Sequence, residues 1–364
     1  PPRCAAAEVC RLIVAYFDIF CWKLCCFSDL APYLALFVPT DMGGASAGGT
    51  KTGLHENGHA TKAAAAATAA SGAVIEARHQ LLAYFCDAAA ERAKGVKRLH
   101  RHIRALQVLR CLAVPMEVAT VPAAQPLPRR RRLRAAAAAL VAEYRATLHL
   151  NAGAEGGQRE VQHGDELVLL AVHVLRDLCW QMDTPAPAST HGAAGGGGGG
   201  DNGGGGDDSG CGGGSEVGGL TAEGYLLRVE TTALLEYAMK WSPYNYHFKV
   251  LAMGFYKELG AFERGVLLEN ELEIKQIQLD SLSWLLFPGC MRCAYFNEAH
   301  ARGRGILALH GSCRRDTAEF AGRAFTHGNY SKAIEIAEFQ ERRMDASLQL
   351  ALAKAEVGAL QLTL

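Results

Sequence analysis

Apolar residues return at helical spacing along much of the chain, and one stretch shows the pattern plainly. Leu99, Ile103, Leu106, Leu109 and Leu112 fall on one stripe, with Lys97, Arg98, Arg101 and Arg104 on the opposite face. No strand-rich block appears, so the predicted fold class is all-α. Three helical blocks are separated by two tracts of different character. Residues 1–39 form an N-terminal helical segment, in which Ser28 or Asp29 is placed to cap a second short helix running through Pro32. Residues 40–72 lack periodicity and read as a low-complexity loop or insertion. Residues 73–183 form a helical region with helices over 135–148 and 165–181, and a stiff proline linker lies at 122–128. Residues 184–219 are nearly all Gly, Asp, Ser and Pro. Such a tract cannot bury enough apolar area to offset the entropy of ordering its backbone, so it is expected to be a disordered Gly-rich insertion.

Residues 220–364 carry a repeat. Gly260-Ala-Phe262-Glu-Arg-Gly265, Ala294-Tyr-Phe296-Asn-Glu-Ala299 and Gly328-Asn-Tyr330-Ser-Lys-Ala333 recur 34 residues apart, the period of tetratricopeptide (TPR) helix-turn-helix units. A small residue lets the chain reverse, an aromatic two positions on plugs the wedge between helices, and a second small residue permits close helix approach. Phe262, Phe296 and Tyr330 are therefore expected in equivalent buried wedges, with Gly265, Ala299 and Ala333 at close contacts. Pro243 stands 17 residues before Gly260, where this repeat places its closing proline, which implies a preceding helix over 221–240. Phe287-Pro288-Gly289 is expected to break the first helix of the middle repeat. The architecture this predicts is a TPR-like superhelix of helical hairpins, an α-α solenoid; an ordinary helical bundle is the other all-α reading.

Charge adds little direction. Lys plus Arg and Asp plus Glu both number 37, so partners must be selected by local patches. The strongest patch is Arg129, Arg130, Arg131, Arg132 and Arg134. It reads either as a solvated helix start or as a surface for a phosphate backbone. Most of the 12 cysteines sit in apolar helical stretches, as reduced and buried thiols would. Arg11, Asp18, Lys23 and Asp29 interrupt the apolar run over 9–37 too often for a membrane span. No membrane or DNA partner is expected, and the expected location is the cytoplasm. The chain begins with Pro1 and stops at Leu364 without a cap, and is read as a fragment of a longer protein.

Candidate chemistry is sparse. Cys290-Met-Arg-Cys293 has metal or redox spacing but lacks a second ligand pair or a preceding strand. Cys25-Cys26 reads as packing. His55-Glu-Asn-Gly-His59 resembles a zinc-protease helix, yet its Asn-Gly favours a turn. His300-Ala-Arg-Gly303-Arg-Gly305 approaches the pyrophosphate loop of acetyltransferases but follows a repeat turn rather than a strand. The positions where a TPR carboxylate clamp places Lys and Asn hold Val250 and Gly254, Trp284 and Pro288, Ala318 and Gly322. No catalytic, cofactor-binding or metal-binding residue is assigned, no cofactor is expected, and the chain is not expected to be an enzyme.

Several words, in order along the chain, resemble the non-catalytic auxiliary subunit of the NatB N-terminal acetyltransferase complex. They are Tyr16-Phe-Asp-Ile-Phe-Cys-Trp-Lys23-Leu-Cys25-Cys26-Phe-Ser-Asp29-Leu, Leu106-Gln-Val-Leu-Arg-Cys-Leu112 and Gly164-Asp-Glu-Leu-Val-Leu-Leu-Ala171. Then follow Trp241-Ser-Pro-Tyr-Asn-Tyr-His-Phe-Lys249, Tyr256-Lys-Glu-Leu-Gly-Ala-Phe262, Gln278-Leu-Asp280-Ser, Arg315-Asp-Thr317 and Glu338-Phe-Gln-Glu-Arg-Arg-Met-Asp-Ala-Ser347-Leu-Gln. Leu24 stands where the family pattern has Pro. The resemblance implies a scaffold that wraps and activates a separate catalytic NatB subunit, which alone would bind acetyl-CoA and acetylate Met-Asp, Met-Glu, Met-Asn and Met-Gln N-termini. It also implies placement of the complex at the ribosome and nascent chain, where the Arg129–132 and Arg134 cluster is the candidate contact. The alternative is a generic TPR interaction scaffold unrelated to acetylation.

Overall fold

The computed structural model describes residues 3–38, 60–90, 95–120, 128–151, 161–183 and 221–363. The Gly-rich tract, His55 and His59, and most of the proline linker lie outside these residues. The described residues form fifteen α-helices and no strand. In chain order they are α1 (Arg3–Phe20), α2 (Cys26–Leu34), α3 (Ala60–Ala90), α4 (Val96–Cys111), α5 (Met116–Thr120), α6 (Arg129–Thr147), α7 (Asp165–Asp183) and α8 (Ala222–Trp241). Then follow α9 (Tyr246–Leu259), α10 (Phe262–Glu271), α11 (Ile277–Leu282), α12 (Phe287–Arg292), α13 (Phe296–Thr326), α14 (Tyr330–Phe339) and α15 (Leu348–Thr363). Most helices pack on their chain neighbours, α3 on α4, α6 on α7, α7 on α8, α8 on α9 and α9 on α10, while α1 packs on α3 and α2 on α4. α13 collects α12, α14 and α15, and α4 meets α7 to join the N-terminal helices to the rest. Neighbour-on-neighbour stacking makes the array an α-helical solenoid.

The helix α3 starts at Ala60, inside the stretch read from sequence as a loop. Its alanine run supplies the strongest helix former, which carries the helix back from the amphipathic part. Ala77, Leu81, Phe85 and Ala88 form the buried stripe, and Phe85 meets Phe17 of α1 edge to face at 4.9 Å. The α2 cap also differs from expectation. Cys25 occupies the N-cap without a side-chain bond, Ser28 donates to the Cys25 carbonyl, and Asp29 accepts from the Tyr16 hydroxyl at 2.6 Å. Thr221 caps α8, accepting from the Gly224 amide at 3.1 Å.

The basic stripe of α4 is only half exposed. Lys97 and Arg98 face solvent, Arg101 pairs with Asp18 at 2.7 Å, and Arg104 is 1% exposed and paired with Glu166 of α7. Its Nε also donates to the Lys23 carbonyl at 3.4 Å. Periodicity put these four residues on one face, but that face packs on the α1–α2 corner and on α7, whose carboxylates neutralise the two inner arginines.

The 34-residue register is real at the turns. Gly260, Ala294 and Gly328 all take left-handed backbone, with φ of 73°, 60° and 71°, and α10, α13 and α14 start two residues after each. The aromatics do not share one environment, contrary to expectation. Phe262 is 0% exposed, Phe296 44% and Tyr330 58%. Phe262 is covered because the chain breaks after α10, where Glu273 and Gln276 both have φ of 50°, and returns to it with α12. Pro288 enters the first turn of α12, and a Cβ at Gly289 would lie 2.6 Å from the Phe262 ring. One period later no break occurs, since Ile306 to His310 continue α13 and both end residues are buried. Among the described residues nothing then encloses Phe296, and Tyr295 packs on the Phe262 ring with centroids 5.1 Å apart. Gly265 and Ala299 are buried as expected, whereas Ala333 is half-buried, because α14 buries no residue.

Candidate interaction surfaces

Two of the sequence-marked chemical candidates, the Gly303/Gly305 segment and Cys290, are packed between helices, while His55 and His59 lie outside the described residues. Gly303 and Gly305 lie inside α13, so their amides belong to the helix rather than to a phosphate loop, and a Cβ at Gly303 would collide with Val357 of α15. That glycine is present for close helix packing. Cys290 is buried and its thiol is pushed up to about 11, mainly by burial, which disfavours the thiolate that metal binding or redox exchange requires. Cys26 is likewise buried and raised to about 11, while its neighbour Cys25 is exposed. Ten of the described cysteines are free thiols, and no metal-binding cluster occurs among the described residues. No described helix is long and apolar enough to cross a membrane.

The arginine cluster is partly consumed internally. Arg129 approaches Glu117 at 3.7 Å, Arg130 meets Glu223 at 3.3 Å and Arg134 meets Glu230 at 3.3 Å, so α6 is tied to α5 and α8. Arg131 and Arg132 are exposed, and no ion pair is formed by either among the described residues.

The words that carried the resemblance meet one another in space as inter-helix joints. Asp165, which opens α7, accepts from Ser242 Oγ at 2.9 Å, Asn245 Nδ2 at 2.9 Å and the Gln162 amide at 3.0 Å. Burial raises its pKa above the ordinary aspartate value, and these donors pull it only part of the way back. Thus the Gly164–Ala171 word locks the Trp241–Lys249 word. In the same way Asp280 of α11 binds His310 of α13 and the Ser347 hydroxyl ahead of α15, and Gln349 accepts from Ser283 at 3.1 Å. Arg228 of α8 bridges Asp183 and Glu258. None of these networks was legible as a contact. Apart from the Gln162 amide, each partner is a common polar residue 30 to 80 positions away in sequence.

Among the large apolar side chains that stand exposed on the described residues, two groups lie close together. Leu12, Ile19 and Tyr33 line a groove of about 550 Å³ between α1 and α2. Phe320, Phe325, Tyr330, Ile334 and Phe339 stand exposed on the hairpin formed by the end of α13 and α14. Monomeric surfaces carry few such concentrations, and they mark interaction faces.

Comparison with known proteins identifies the family. A family model for the N-acetyltransferase B complex (NatB) non-catalytic subunit matches residues 3–364. The NatB auxiliary subunit N-alpha-acetyltransferase 25 of Rattus norvegicus is 29% identical over 205 residues, covering 56% of this chain and 17% of that protein. The Homo sapiens protein of the same description is 32% identical over 135 residues, or 37% of this chain and 14% of its own length. The N-terminal acetyltransferase B complex subunit arm1 of Schizosaccharomyces pombe is 28% identical over 129 residues, 33% of this chain and 15% of that protein. The aligned regions thus span less than a fifth of each of these relatives. With a family match over nearly every residue of an all-helical array, the chain belongs to the NatB non-catalytic subunit family.

Proposed function

We propose that this chain is a scaffold of the NatB complex, enclosing the catalytic acetyltransferase subunit in a TPR-like superhelix and raising its activity on Met-Asp, Met-Glu, Met-Asn and Met-Gln N-termini in the cytoplasm. The observation that carries this reading is the family match over residues 3–364 of an array built by neighbour stacking. A curved stack presents far more area to a small globular partner than one domain face can. Activation then comes from ordering the catalytic chain and lining its peptide entrance. Acetyl-CoA chemistry belongs to the partner. Ribosome attachment rests on Arg131 and Arg132, because Arg129, Arg130 and Arg134 are engaged by carboxylates of this chain.

The test is acetyl transfer to a Met-Asp peptide by the purified catalytic subunit, with and without this chain. Faster transfer with the chain present, and none from the chain alone, is expected. An unchanged rate, or turnover by this chain by itself, would overturn the reading.

A further inference from the structure

Alternate helices of the solenoid, α7 and α9, share one face with the short 3-10 turn Ser283–Leu285 between α11 and α12. Between them lies a groove of about 150 Å³, a size that admits one large side chain. Val250 and Leu251 of α9 and Trp284 of the turn give it apolar walls, and Trp284 is 52% exposed. Gly254 lies along it as bare helix backbone. A Cβ there would meet nothing within 4 Å, so the packing of this chain does not require a glycine at that position. A mid-helix glycine costs about 0.5–1 kcal/mol relative to alanine, which the fold gains nothing from here.

The rim of the groove is cationic. Arg176 of α7 and Lys257 of α9 line it, and among the described residues neither has a carboxylate within salt-bridge distance. Other cations around it are matched: Arg228 to Asp183 and Glu258, Lys249 to Glu271 and Arg264 to Glu236. Glu258, the acid that lines the groove, is therefore already taken by Arg228. Two unmatched positive charges flank an apolar slot with an open aromatic wall.

We propose that this groove docks an acidic segment of the catalytic acetyltransferase subunit, which seats one large apolar side chain against Trp284 and over Gly254 while its carboxylates meet Arg176 and Lys257. The proposal rests on the reading above that the catalytic subunit is the partner. The charge pattern selects an acidic occupant, the slot selects an apolar anchor, and the glycine allows the partner to approach the helix backbone. The repeat register alone pointed only to Val250, Gly254 and Trp284. The cations come from α7 and from the last turn of α9.

Titration calorimetry of the full chain with the purified catalytic subunit tests this. Gly254→Leu fills the slot from an open position and replaces glycine with a better helix former. Its Tm should hold or rise while affinity falls about tenfold or more. Arg176→Gln with Lys257→Gln should weaken binding to a similar degree and flatten its dependence on salt. Trp284→Ala should also weaken it about tenfold. If the unaltered chain binds and Gly254→Leu binds within about twofold of it, the groove assignment is overturned and the scaffold function stands. If the unaltered chain does not bind the catalytic subunit, both fall. If deleting residues 201–216, which carry Asp201, Asp207, Asp208 and Glu216, tightens binding of a free Asp/Glu-rich peptide to the groove while the catalytic subunit binds elsewhere, the occupant is this chain's own tract and the proposal is overturned.

Discussion

His310 Nε2 lies 3.0 Å from Asp280 Oδ1, both side chains are buried, and the Ser347 hydroxyl donates to the same carboxylate oxygen. With a carboxylate as acceptor, Nε2 carries the ring proton. Ser347 Oγ also accepts from the Leu350 amide at 3.1 Å, so one carboxylate on α11 fixes both α13 and the first turn of α15. His310→Ala would leave Asp280 buried without its ring partner and is expected to cost about 3 kcal/mol in urea unfolding. A loss below about 1 kcal/mol would mean that the pair is not a structural joint.

Asp165 makes stability depend on acid in a definite direction. Its folded pKa is raised, so the fold favours the protonated form. That contribution is fully present below the pKa of an unfolded aspartate, about 3.9, and is lost as pH rises through the higher folded value. Asp165→Asn removes the titration and lets the amide donate to Ser242 while its oxygen accepts from Asn245 and the Gln162 amide. Tm measured against pH should therefore fall less steeply over that interval in the variant than in the parent. Parallel curves would refute the assignment.

Equivalent repeat positions should respond unequally to the same substitution. Ala299 is buried at the start of α13, and Ala299→Leu should overpack it at a cost of about 1–3 kcal/mol. Ala333 sits on α14, which buries no residue, and Ala333→Leu should change stability by no more than about 0.5 kcal/mol. Equal losses in thermal unfolding would restore a uniform repeat.

Adjacent thiols should differ in reactivity. Cys25 is exposed, whereas Cys26 is buried with its thiol raised to about 11. Iodoacetamide labelling of the native chain, mapped by mass spectrometry, should modify Cys25 first and Cys26 only after denaturation. Simultaneous labelling of both would show that α2 opens readily.

Local chemistry was enough to read several features from sequence. The helix over 221–240 is legible from the place of Pro243 before Gly260, and α8 starts at Ala222 with Thr221 as its cap. Gly260 and Gly328 reverse the chain because left-handed backbone suits glycine, and the repeat spacing found Ala294 in the same conformation. Pro288 fragments its helix for an equally local reason.

Tertiary structure decided the rest. Phe262, Phe296 and Tyr330 share a register, yet only Phe262 is enclosed, because burial depends on whether the chain later folds over the residue. That depended on Glu273 and Gln276 breaking the helix where Ile306 to His310 do not. Arg104 reads as a surface charge until Glu166, 62 positions away, reaches it from α7. Arg176 and Lys257 share a groove with Trp284 because α7, α9 and a 3-10 turn stack there. Periodicity fixes which face of a helix is apolar, whereas the partner of each polar group is set by contacts distant in sequence, which no local pattern encodes.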